Sequence, residues 1–410
     1  MKNLLALALG VLTAIGGFVD IGDLVTNAAV GSRFGLSLVW ATLLGAVGII
    51  VFAEMSGRVV AVSGRPTFDI IRERLGPRVG LVNLFGSMAV TLLTFIAEIG
   101  GVALSLELVT SVWEYFWVPF TAVAVWIVLW RANFDVIENT FGLLGLALIV
   151  FSVALWQLDP DWSQLWHVAV TAAKPKAEAW PSYWYYAVAL FGAAMTPYEV
   201  FFFSSGGVEE RWSPSHLPTM RANVFVGFAL GALLSVSIAG VAAVTLLPAS
   251  IEVETLAQVA LPIAVAAGKV GLAIAIVGFF AATFGAACET GLSLGYSIGQ
   301  YFGWQWGKAV RPREAARFHA VILLSTIVAG FVLLTTVDPI LVTEFSVVFS
   351  AVALPLTYLP ILIVANDPGY MGEHRNKWLA NGLGSIFLVI VLAASMAALP
   401  LMIWTKLGTT

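Results

Sequence analysis

GGFVDIGDLVTNAAVGSRFG spans residues 16–35 of this 410-residue chain, and its first eight residues set two aspartates and three glycines inside an apolar stretch. A helix crossing a bilayer unbroken would present those groups to hydrocarbon, where bare charge and unpaired backbone are costly. Non-helical backbone survives at membrane depth only where it lines a cavity or is enclosed by protein. The segment therefore reads as a break in a spanning helix, facing a site. FGAAMTPYE, residues 191–199, is a second such break: it sets Thr196, Pro197 and Glu199 at the corresponding depth of a later apolar run.

The whole chain supports a membrane setting. Hydrophobic residues make up 60% of it and charged residues 11%, and the mean hydropathy is +0.94, values outside the range of water-soluble domains. A bilayer core about 30 Å thick needs roughly 20 apolar residues per helix. Eleven such spans are expected, near 3–30, 36–60, 78–106, 112–130, 134–157, 183–207, 220–247, 262–300, 315–337, 339–365 and 377–403. The opening run is read as a span and not as a signal peptide, because its polar break lies inside it and no small-x-small cleavage site leads into a soluble domain. The fold class is thus an all-α polytopic membrane protein.

The connections are short. Asp159 to Pro181 and Glu209 to Thr219 read as loops, and TFDIIRERLG (67–76) as an amphipathic helix on the membrane surface, with Arg72 and Arg74 in reach of lipid headgroups. With the N-terminus cytoplasmic, fifteen Lys and Arg residues fall inside, and five (Arg33, Lys174, Lys176, Lys269 and Lys406) outside. That asymmetry predicts a multi-pass protein of the plasma membrane with the C-terminus outside. Cys288 has no cysteine partner, which excludes disulfides and thiolate clusters. The net charge of −4, without a basic tail or Gly-rich phosphate loop, points away from nucleic acid.

The two breaks lie about 175 residues apart, each opening a run of five spans. This divides the chain into residues 1–157, residues 183–365 and one additional helix, 377–403. An odd number of spans separates the breaks, so the halves have opposite orientation, as in an inverted 5+5 repeat whose broken helices 1 and 6 hold substrate near the midplane.

Asp20 and Asp23 are three residues apart, on one helical face or converging across an unwound turn. Two ionised carboxylates held together in a low dielectric repel unless a cation lies between them. The simpler alternative is that both cap the half-helix that follows, although a cap needs one acid. Across the cavity, Thr196 offers a hydroxyl, Glu199 a further carboxylate, and the unwound carbonyls around Gly17 and Ala193 more oxygen. These are hard ligands. Mg2+ takes about six oxygens near 2.1 Å and keeps several waters, so a few carboxylates suit it; soft metals want sulfur or imidazole. Met195 could supply sulfur, though methionine beside a helix break commonly fills space. Glu98, in FIAEIGG, is expected to support the site from its packed helix. Glu54, Asp135, Glu138, Glu289 and Glu344 are expected at cavity walls or helix ends. An intramembrane protease would carry its aspartates on separate helices, and no nucleophile with a partnered histidine is visible, so the chain is not expected to be an enzyme.

The stretch DIGDLVTNAAVGSRFG (20–35) resembles the first-helix motif of the NRAMP (natural resistance-associated macrophage protein) divalent-metal transporters, Asp-Pro-Gly-Asn followed by Ala-Gly-Ser. AAMTPYE resembles that family's Ala-x-x-Met-Pro-His-Asn, anchored on Pro197. The resemblance implies a LeuT-like fold working by alternating access. It sets Asp20 on the family's metal-binding aspartate and Asp23 on its asparagine, Thr196 on its soft methionine, Tyr198 on a histidine and Glu199 on an asparagine. Gly17 and Ala193 fall where backbone carbonyls bind the ion. Positions tied to proton movement depart from the family: Phe95 stands three residues before Glu98, and Phe203 replaces a histidine. The chain is therefore most similar to the NRAMP-related magnesium transporters. A one-residue shift would place Met195 on the ligand position and restore a transition-metal site. The expected function is uptake of Mg2+, with Mn2+ also accepted, by a monomer in the lipid bilayer, without proton coupling or any cofactor beyond the transported ion; the alternative is a proton-coupled Mn2+/Fe2+ transporter.

Overall fold

The computed structural model describes residues 19–408, so the first part of the opening span, with Gly17, lies outside the described residues. Sixteen α-helices follow in the described part: α1 Ile21–Phe34, α2 Val39–Ser63, α3 Thr67–Leu75, α4 Pro77–Thr110, α5 Glu114–Arg131, α6 Phe134–Gly145, α7 Ile149–Gln157, α8 Trp162–Thr171, α9 Trp180–Ala193, α10 Pro197–Glu209, α11 Leu217–Thr245, α12 Leu256–Phe302, α13 Ala316–Leu334, α14 Pro339–Asn366, α15 Pro368–Met371 and α16 Trp378–Thr405. Nine helical stretches among the described residues are long and apolar enough to cross a membrane, α6 with α7 and α9 with α10 each counting as one. The 18-residue α5 occupies the expected fourth span and α1 the latter part of the first.

Sequence explains where these helices stop. Asp20 caps α1 through its own carboxylate. Between α9 and α10 the ladder fails because Pro197 has no N–H to give the carbonyl of Ala193, four residues back. Helix α12 runs 47 residues with a kink at Gly268, whose φ of +62° only glycine adopts without strain. The broken span is interior: 89% of its most apolar window is buried, against 22% for α16 at the periphery. Around it α4 packs along α12 and α14, and α1 along α11, while α2 lies against α10 and α11. Gly31 makes the α1–α11 approach possible, since a Cβ there would lie 2.2 Å from the carbonyl oxygen of Ala239.

The charged ends form two separate groups. At one, Arg58 and Arg221 both bind Glu54, and Arg58 also donates to Asn376 and to the carbonyl of His374. At the other, Arg33 forks onto Glu178 at 2.9 Å through Nε and Nη2 and donates to Tyr186 and to the Gly408 carbonyl.

Two expectations need correction. The connection 159–181 is not all loop, because it contains α8, capped by Asp161 onto the Gln164 N–H. Arg72 and Arg74 are not left to lipid headgroups: Arg72 binds Asp69 and the Tyr301 carbonyl, and Arg74 pairs with Asp367. The expected span 134–157 is present as Phe134–Gln157, with a 3-10 turn at Leu146–Leu148 between α6 and α7. On the α3 surface, the hydrogen bond from Arg65 holds the Glu73 carboxyl below its ordinary range.

Candidate functional site

The N-terminus of α1 is a point of positive potential with N–H groups that have no helical partner. Two carboxylates from different parts of the chain meet it. Asp20 Oδ1 accepts from the Asp23 N–H at 2.9 Å, and Glu98 Oε1, from the middle of α4, accepts from the Ile21 N–H at 3.2 Å. Asp20 Oδ2 faces the Tyr198 hydroxyl at 3.5 Å. So Asp20 does cap the helix, with one oxygen, and the other points to the second break.

Asp23 is placed differently. Its Oδ1 accepts from Asn27 Nδ2 at 2.8 Å, and Asn27 Oδ1 in turn accepts from the Thr42 hydroxyl of α2 at 3.3 Å. Its Oδ2 is buried with no hydrogen-bond partner, as is the hydroxyl of Ser235 on α11 beside it. The two aspartates are 4% and 1% exposed, so neither faces lipid or bulk solvent.

At the second break, residues 194–196 join α9 to α10, with Thr196 as N-cap and Glu199 in the first turn. Thr196 Oγ1 and Glu199 Oε2 lie side by side, buried and without hydrogen-bond partners. The Met195 carbonyl accepts from the Tyr358 hydroxyl at 3.1 Å, and the Tyr198 carbonyl from the Ser293 hydroxyl at 3.5 Å, which ties the break to α14 and α12. The sulfur of Met195 fills the notch left by Gly48 on α2: a Cβ on that glycine would lie 2.5 Å from Sδ and 3.0 Å from the Phe387 ring.

Of the residues singled out from the sequence, Asp20, Glu98 and Tyr198 are in direct hydrogen-bonding reach of one another or of the same helix end. Asp23, Glu199 and Glu289 lie within electrostatic range of Asp20. Ala193 ends α9 beside the break, Met195 is turned into packing, and Gly17 lies outside the described residues. Among the described residues no three His, Cys, Asp or Glu side chains stand ready to close on a metal. The oxygens gathered there are instead those of the Asp20 and Asp23 carboxylates, the Tyr198 and Thr196 hydroxyls and the Glu199 carboxylate. Sequence reasoning missed Asn27, Thr42 and Ser235. Asn27 was recoverable from its i,i+4 spacing to Asp23; Thr42 comes from the next helix and Ser235 from α11.

A helical bundle with this arrangement is shared with known transporters. The fold superposes on a manganese transporter of Eremococcus coleocola with a TM-score of 0.67 at 17% identity, covering 99% of this chain and 94% of that one. It also superposes on Mhp1, a nucleobase-cation-symport-1 family transporter in a closed conformation, with a TM-score of 0.63 at 15% identity, covering 97% and 92%. The class is therefore that of multi-pass membrane proteins with the LeuT fold. Residues 10–400 match the family model described as natural resistance-associated macrophage protein-like, and the chain belongs to the Nramp family. Relatives described as divalent metal cation transporter MntH include that of Erwinia tasmaniensis, 24% identical over 92% of this chain and 90% of its own. That of Deinococcus radiodurans is 26% identical over 95% and 88%. The match to that of Agrobacterium fabrum is 29% identical and more local, covering 49% of this chain and 44% of the relative.

Proposed function

We propose that this chain carries divalent metal ions across a membrane, with Mg2+ as preferred cargo and no proton moved alongside. The observation that carries the reading is the buried Asp20–Asp23 pair, in which Asp23 Oδ2 has no partner. Thr196 Oγ1, Glu199 Oε2 and Glu98 Oε2 are likewise buried and unpartnered. Buried polar atoms of native proteins are almost always satisfied, and a hydrated dication would satisfy these. The relatives described as divalent metal cation transporters, and the manganese transporter of like fold, support the cargo class.

The preference for Mg2+ rests on donor chemistry. Asp20, Asp23 and Thr196 are the side-chain ligands, with the Ala193 and Gly17 carbonyls and retained water completing the shell, and Met195 sulfur is engaged with Gly48. A shell made of oxygen suits a hard ion that sheds water reluctantly. We assign the end bearing Arg58 and Arg221 to the cytoplasm. A membrane potential, inside negative, then drives entry with about 4.6 kcal/mol per 100 mV for a dication.

The second reading, a proton-coupled Mn2+ or Fe2+ transporter, draws on Glu98, a fully buried carboxyl bound to the same helix end with one oxygen free. Proteoliposomes holding a pH dye, with a potassium diffusion potential imposed, separate the two. Uptake of Mg2+ at constant lumenal pH is expected. Acidification in step with Mn2+ uptake, and none of Mg2+, establishes the second reading instead.

A further inference from the structure

Between α5 and α13 the outer surface carries a recess that metal transport does not use. It measures about 240 Å3 and is walled by Pro119, Ala122 and Trp126 of α5 and by Leu323, Ile327 and Phe331 of α13. Gly330 lines it with open space in front: a Cβ there would meet only Ala122, at 3.8 Å. Phe331 stands beside it, 69% exposed. The hydroxyl of Thr326, also in the lining, is turned back onto the Ile322 carbonyl at 2.8 Å, so the surface offered is apolar.

One end of this recess is basic. Gly330 lies by Ala122, while Lys308, in the connection before α13, donates to the Leu129 carbonyl near the end of α5. The helices are therefore antiparallel, with Arg131 and Arg317 at the same end. At 1.5 Å per residue the recess extends about 16 Å along α13 from Leu323 to Leu334, and Arg317 lies about 9 Å before it. The Arg131 guanidinium sits 4.3 Å over the Trp130 ring, and Trp130 stacks on Trp126 at 5.4 Å, a continuous aromatic path from charge to recess. Arg317 sits 5.3 Å over Trp304. Among the described residues neither arginine forms an ion pair. Segments 129–136 and 308–317 together carry five basic residues against Asp135 and Glu314, and the Glu209 carboxylate is held on the Lys308 and Ala309 N–H groups.

From this geometry we infer that the recess is a binding site for an anionic phospholipid, with one acyl chain lying between α5 and α13 and the phosphate held by Arg131 and Arg317. The aromatic rings sit where headgroup meets hydrocarbon, as interfacial tryptophans do, and basic residues between spanning helices recognise anionic headgroups. A second copy fits less well, because a two-fold contact at this face would bring each basic end against its like.

The test uses the delipidated full chain titrated with phosphatidylglycerol or phosphatidylcholine of identical acyl chains, reading bound lipid by native mass spectrometry together with Tm. Two arginines near a phosphate should make phosphatidylglycerol bind roughly 30-fold tighter. The exposed double variant Arg131→Gln/Arg317→Gln should bind both lipids equally, and Gly330→Phe, which fills the recess on an exposed face, should bind neither at this site. Equal binding of the two lipids by the natural chain, or a preference surviving in the double glutamine variant, overturns the inference. So does efficient disulfide dimerisation of Gly330→Cys in liposomes, which would assign the recess to a second copy.

Discussion

Replacing Asp20 by asparagine separates the two tasks that its carboxylate performs. One oxygen caps α1 through the Asp23 N–H at 2.9 Å, and asparagine caps a helix about as well as aspartate. The other faces Tyr198 and, on the proposed mechanism, the ion. Removing one partner of a buried charge pair costs about 3–5 kcal/mol, which is a loss of roughly 10^2 to 10^3.5 in affinity. Asp20→Asn should therefore reduce Mg2+ binding by that factor while the metal-free Tm stays level or rises, because one charge leaves a group that includes Asp23, Glu98 and Glu199. Asp20→Ala should lose the same affinity and a further ~1 kcal/mol of stability with the cap. Calorimetric titration and metal-free melting of both variants decide the matter. If Asp20→Asn binds Mg2+ within threefold of the natural chain, or melts as low as Asp20→Ala, the division of labour is wrong.

Met195→Leu conserves volume against Gly48, so it should cost less than about 1.5 kcal/mol of stability and leave Mg2+ uptake intact; abolished uptake would make the sulfur a ligand. Gly31→Ala would place a Cβ 2.2 Å from the Ala239 carbonyl oxygen and 2.8 Å from the Ala242 Cβ. Backbone cannot yield there without parting α1 from α11, so a loss of about 1–3 kcal/mol is expected in thermal melting. Glu178→Gln strips Arg33 of its bidentate partner; a cost of about 1–3 kcal/mol, between exposed and buried pairs, should appear with faster hydrogen exchange over residues 174–183. The Glu73 carboxyl is held low by Arg65, so its contribution is complete above the ordinary glutamate value and is lost as pH falls through the lower folded value. Protection factors in α3, with the intrinsic base-catalysed rate divided out, should fall only in acid, and a fall between pH 6 and 8 would contradict this.

The helix start at Ile21 and the break at 193–197 were legible in the sequence because each violates the apolar rule of a spanning helix in a way that one physical cause explains. At 20–23 the violation is charge; at 193–197 it is a missing donor, since Pro197 leaves the Ala193 carbonyl without its helical partner. Such local conflicts need no knowledge of the partner helices. What stayed hidden was the part supplied from far along the chain. Glu98 reaches the Ile21 N–H across 77 positions, and nothing in FIAEIGG specifies which helix end its carboxylate meets. Gly48 determines where the Met195 sulfur goes, yet its effect is the absence of a side chain on α2. The same asymmetry applies to Asp23: its spacing from Asp20 and from Asn27 is written in the chain, but the Thr42 hydroxyl that extends the relay and the Ser235 hydroxyl beside it come from other helices. A carboxylate fixed on one oxygen by such a relay and left bare on the other is poised to bind without rearranging. Disrupting the relay with Thr42→Val should therefore weaken Mg2+ binding through loss of orientation while both carboxylates remain, a result that a merely space-filling Thr42 would not produce.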